Sequence, residues 1–158
     1  MDALERGYEQ LEEARLAAAG AIETALKEDD EKKIKAMLAQ IDAQKARLDA
    51  DARKARAAWL ARDFRGISAQ VAPLREHAQE MGAYYTLLAG DFRGRAAKAA
   101  DPKFGLTPNV GGGRRGLFGG IGANIPIGAD KRKAGVFEGC AANLDHAAAT
   151  ARAAALRR

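Results

Sequence analysis

A single cysteine, Cys140, leaves no partner for an intramolecular disulfide, so no cystine framework holds this fold. Aromatic residues make up only 6%, and much of the 47% hydrophobic content is alanine. A thick interior of large interlocking side chains is therefore not expected, and close helix-to-helix contact is. No apolar run reaches the roughly 18–20 residues of a membrane-spanning helix. The opening "MDALERGYEQLEEARL" lacks a basic segment followed by an apolar one, so no signal peptide is read and synthesis in the bacterial cytoplasm is expected.

Patterns that carry chemistry are missing as well. There is no CxxC, HxxxH or HExxH. Cys140 and His146 are six residues apart, about 240° of rotation on a helix, and so lie on different faces. His77 is remote from both. "GGGRRG" and "GGIG" do not match GxxxxGK[ST], and no apolar strand precedes them. Acidic residues are scattered and not paired in an apolar setting. The expectation is a non-enzymatic protein with no catalytic, cofactor or metal site.

What is present is uneven charge and strong helical periodicity. The net charge is +5. It is mildly negative over residues 1–64 and strongly positive over 91–158. Residues 2–28 place Leu4, Tyr8, Leu11, Ala18, Ile22 and Ala25 near one helix face. Asp29 or Asp30 is a candidate cap for the next helix. Over 31–64, Ile34, Leu38, Ile41, Lys45, Leu48, Ala52, Ala55 and Trp59 follow heptad spacing. Ile34, Leu38, Ile41, Leu48 and Trp59 are read as a helix-association face, and Gly66 as the stop. A third helix is expected over 68–89, with Pro73 in its first turn and Gly90 at its end. Its apolar residues are Leu74, Met81, Tyr84, Tyr85 and Leu88. "ARDFRG" at 61–66 returns as "AGDFRG" at 89–94, both where a helix is expected to stop.

The composition then changes. Residues 91–116 read as a basic linker rich in glycine and proline. Leu117, Gly119, Ile121, Ala123, Ile125 and Ile127 alternate with their neighbours at period two, which predicts a strand over 117–128 with one face nearly bare. From 129 to 158 the steps of Ala134, Phe137, Ala141, Leu144, Ala148, Ala151 and Ala155 suit an alanine-rich helix capped by Asp130. The alternative makes "KAGVFEG" a returning strand, and the long helix is favoured. The fold class expected is mainly α, with long coiled-coil-like helices, a small glycine-rich β element and an oligomeric state.

The stretch "GGIGANIPIGADKRKAGVFEGCAANLDHAAATARAAA" resembles the strand-to-helix junction of TolC-like outer-membrane efflux-channel proteins. In that family a barrel strand ends in a Pro–apolar pair, here Pro126-Ile127, and a long helix with a basic start follows. The resemblance covers about 40 residues, and residues 1–90 show no second strand pair. It implies one strand feeding one helix within a ring of identical subunits. Leu117, Ile121, Ile125 and Ile127 would then dock between subunits, with membrane contact through 117–127 only after assembly. The expected function is a structural subunit, homo-oligomeric or bound to other structural proteins. Its setting would be a bacteriophage virion, as a tail, connector or ejection-channel component. The alternative is a nucleic-acid-binding or packaging accessory protein, with Arg114, Arg115, Lys131, Arg132 and Lys133 as candidate phosphate contacts.

Overall fold

The computed structural model describes residues 2–101 and 130–155. Within them the chain is helical: α1 (Asp2–Glu28), α2 (Lys32–Leu60), the short α3 (Phe64–Ala69), α4 (Val71–Ala100) and α5 (Lys131–Ala154). The strand-docking residues Leu117, Ile121, Ile125 and Ile127 lie outside the described residues, as do Arg114 and Arg115.

The four long helices alternate in direction. α1 and α2 form a hairpin through residues 29–31. α4 runs back along α2, as the pairs Glu31–Arg95, Gln44–Tyr85 and Asp51–His77 show. α5 runs antiparallel to both α4 and α1. Phe92 meets Phe137 at one end of that seam, and the Gly82 carbonyl accepts from Arg152 towards the other. Gly82 permits the close approach, because a Cβ there would meet Arg152 Cγ at 2.7 Å. Small side chains set the spacing: Ala141, Ala147, Ala148 and Ala151 of α5 are all buried.

The apolar stripe expected on α1 is buried throughout. On α2 only half of the heptad face is. Ile34, Ile41, Leu48 and Ala55, one residue in seven, are buried within the chain's own bundle. Leu38 is partly buried, Lys45 is exposed and Trp59 is 46% exposed. The association face therefore splits: one seam fills the groove beside α1, and the other runs along the core's edge at Leu38 and Ala52, with Lys45 and Trp59 exposed. Polar links cross the hairpin: the buried Arg15, held by Glu12 of its own helix at 2.7 Å, reaches Asp42 of α2 at 3.5 Å, and Lys45 of α2 pairs with Glu12 at 3.7 Å.

Several expected boundaries move. The second helix starts at Lys32 with Glu31 before it, and neither Asp29 nor Asp30 caps it. Those carboxylates instead pair with Lys133 and Lys35. α2 stops at Leu60, short of Gly66, which sits inside α3. α4 does not stop at Gly90 but continues to Ala100, so residues 91–100, expected as linker, are helical. The reason is tertiary. Phe92 and Ala96 bury against the core, and that offsets the roughly 1 kcal/mol that each of Gly90 and Gly94 costs a helix relative to alanine. Asp130 caps α5 as expected, its carboxylate accepting from the Lys133 amide at 2.9 Å, and residues 134–139 are helix, not a returning strand.

Candidate functional site

The last turn of α2 builds the most unusual surface of the described residues. The Arg62 amide donates to the Trp59 carbonyl and the Asp63 amide to the Ala58 carbonyl, both at 2.9 Å. This double closure is the Schellman arrangement, which needs its first residue past the cap in the left-handed region. Glycine usually stands there. Here it is Arg62, at φ 54°. The following Asp63 opens α3 by accepting from the Gly66 amide at 3.0 Å. A Cβ at Gly66 would collide with that carboxylate. The chain thus turns a corner in three residues.

The turn leaves large apolar side chains in water. Trp59 and Leu60 end α2 at 46% and 75% exposure, and Phe64 begins α3 at 72%. With Arg62 they line a cleft of about 530 Å³. Arg62 and Arg65 are exposed and form no ion pair among the described residues. The nearby acid, Asp63, is occupied as a cap. Arg53 and Arg56, further back on α2, line a second cleft opposite Glu5 and Glu9 of α1. Folded L-residues other than glycine pay about 1 kcal/mol or more in the left-handed region. Arg62→Gly is accordingly expected to raise unfolding free energy by about 1 kcal/mol in urea melts. A loss of stability would mean that the Arg62 side chain contributes to folding.

The basic residues read as phosphate contacts are placed differently. Arg132 pairs with Glu28 at 3.3 Å, and Lys133 pairs with Asp29 at 2.6 Å while lying over the Phe137 ring. Only Lys131 of that cluster has no ion-pair partner among the described residues. Arg95 is likewise held by Glu31 and Asp91, each at 2.7 Å. Acids of the α1–α2 hairpin and of α4 itself thus absorb much of the positive charge near the start of α5.

Other reactive side chains serve packing. Cys140 is buried and donates to the Ala21 carbonyl at 3.2 Å, and burial pushes its thiol pKa up. His77 is buried against Asp51 at 2.9 Å, and hydrogen bonds from Lys54 and then His77 hold the Asp51 carboxyl below its usual range. Beside them Tyr8 is buried, and burial, reinforced by the charge of Asp51, pushes its pKa up to about 12. A phenol whose folded pKa is raised stabilises the fold fully below its unfolded value of about 10 and loses that contribution as pH rises through the folded one. Melting temperature is expected to fall between pH 10 and about 12, and to fall less steeply in Tyr8→Phe. Equal slopes for the two proteins would remove Tyr8 as a source. Among the described residues no group of three or more His, Cys, Asp and Glu side chains is placed to hold a metal ion.

Comparison with family models, curated proteins and solved structures finds no match. The chain's own geometry is the ground for a functional reading. Of the five residues assigned to helix association, Ile34, Ile41 and Leu48 are internal core, Leu38 borders it, and Trp59 joins the exposed corner. Leu60 and Phe64 were not singled out in the sequence. The available signal was "WLARDF": a heptad run that continues into a charged turn keeps supplying apolar residues after the helix has nothing left to pack on.

Proposed function

We propose that this chain is a non-enzymatic structural subunit, an assembly of helical bundles that presents the α2–α3 corner to a second component. The observation that carries the reading is the corner itself: Trp59, Leu60 and Phe64 stand together in water beside Arg62 and Arg65, which form no ion pair among the described residues. Isolated surface leucines need no explanation, but a contiguous aromatic and aliphatic cluster marks a contact site. Self-association remains assigned to the alternating segment 117–127, and a virion is the setting that such a ring suits best.

Light scattering after size exclusion tests the reading. The full chain is expected to form a discrete oligomer at low and high salt without DNA. Ile121→Pro should reduce it to single chains, and Leu60→Ser with Phe64→Ser should leave its size unchanged because the corner faces outward. A chain that stays single at every concentration overturns the proposal. Assembly that appears only with DNA and dissolves in salt would favour the nucleic-acid alternative.

A further inference from the structure

We infer that the second component is an anionic lipid bilayer, with the α2–α3 corner inserting Trp59, Leu60 and Phe64 at its headgroup boundary. The inference rests on the proposal that the corner is the working surface and adds the identity of what it meets. It concerns a different surface from residues 117–127.

Residue chemistry is the first support. Tryptophan and phenylalanine with leucine, flanked by arginine, are the side chains that lodge at a membrane–water boundary. Arg62 lines the same cleft as the three apolar residues, so positive charge and apolar surface are offered together. Arg62 and Arg65 form no ion pair among the described residues, whereas Lys54 is held by Asp51 at 2.7 Å and Arg53 and Arg56 face Glu5 and Glu9; the one acid at the corner, Asp63, is engaged as a cap. Basic side chains next to an apolar anchor draw it to anionic headgroups.

Area is the second support. A helix with its side chains is about 10 Å wide, so the end of a four-helix bundle offers on the order of 400 Å². A stable protein interface needs about 800 Å² from each partner. The corner is too small to hold a protein partner by itself, whereas membrane anchoring requires only a few inserted side chains combined with charge. A nucleic-acid partner fits less well. Leu60, the most exposed of the three, has no ring on which a base can stack.

Backbone cost is the third. Arg62 occupies a left-handed position where glycine would be less strained. Strain retained at an exposed site points to use of the side chain, and a guanidinium at this spot meets a headgroup phosphate. No helix among the described residues is long and apolar enough to cross a membrane, and the contact argued here is peripheral.

The chain has one tryptophan, so its emission reports on the corner alone. The full chain is to be mixed with phosphatidylcholine vesicles with and without phosphatidylglycerol, following Trp59 emission and flotation. The expected result is a blue shift and co-flotation with the anionic vesicles, weakened by salt. Arg62→Glu with Arg65→Glu should weaken binding about tenfold or more. Leu60→Ser with Phe64→Ser keeps the tryptophan and, being exposed, the fold; it should lose the shift while its circular dichroism stays unchanged. Absence of shift and flotation overturns the inference, as does equal binding by the serine variant. A shift on raising protein concentration without vesicles would assign the corner to a second copy, and a shift with DNA alone would assign it to nucleic acid; either overturns it. An oligomer that ignores vesicles sinks this inference and leaves the assembly proposal standing. Single chains that still bind anionic vesicles do the reverse.

Discussion

Phe92→Ala is expected to lower unfolding free energy by about 3–5 kcal/mol, and Phe64→Ala by less than about 0.5 kcal/mol. The two phenylalanines hold the same place in the repeated "DFRG". Phe92 has no exposed surface and packs on Phe137 with ring centroids 5.7 Å apart. Truncation leaves a void between α4 and α5 beside the Phe137 ring. It also removes the burial that carries α4 through Gly90 and Gly94, so the helical signal should fall as well as the stability. Phe64 meets water, and its loss removes little. Urea unfolding followed by circular dichroism measures both. Equal costs for the two variants would mean that Phe64 is packed in solution, and the corner would no longer be an exposed surface.

Ile41→Ala should cost about 2–5 kcal/mol, and the damage should appear first in α2. This helix buries one apolar residue in seven, Ile34, Ile41, Leu48 and Ala55, against the rest of the bundle. Ile41 is fully buried and central in that row. Met37, Leu38 and Ala52 add partly buried contacts, and the other ties are polar. The Tyr85 hydroxyl donates to Gln44 at 2.7 Å, His77 meets Asp51 at 2.9 Å and Arg47 meets Glu80 at 3.2 Å. The exposed Arg47–Glu80 pair contributes only about 0–1 kcal/mol, and a hydrogen bond such as that of the buried Tyr85 about 0.5–1.5 kcal/mol. Hydrogen exchange should therefore show α2 amides losing protection ahead of those in α1, α4 and α5. A uniform loss across all four helices would mean that α2 is as tightly integrated as its neighbours. An unchanged protein would remove Ile41 from the core.

The helical class, the faces of α1 and α5 and the Asp130 cap were legible in the sequence, as was the apolar face of α2, though not which of its residues would be internal. Each depends on contacts three or four residues apart, and local spacing reports those directly. Glycine positions misled in both directions. Gly66 was expected to end a helix and instead makes room for the Asp63 cap, while Gly90 was expected to end another and is passed over. A glycine's cost of about 1 kcal/mol is small beside the burial of an aromatic ring, and the sequence does not say which ring will find a partner.

The corner shows the same division. By itself, the sequence determined that a helix with a regular apolar row would follow residue 31, expected to run to residue 64 and in fact ending at Leu60. It also placed a tryptophan, a leucine and a phenylalanine near the end of that row. Only the tertiary structure decided which of them would be covered. α2 ends in a left-handed turn at Arg62, and α3 buries none of its residues. Phe92, in the matching hexapeptide, runs on inside α4 beneath α5. Burial depends on which element arrives from elsewhere in the chain. That arrival is set by packing over long sequence separations, to which the spacing of neighbouring residues carries no information.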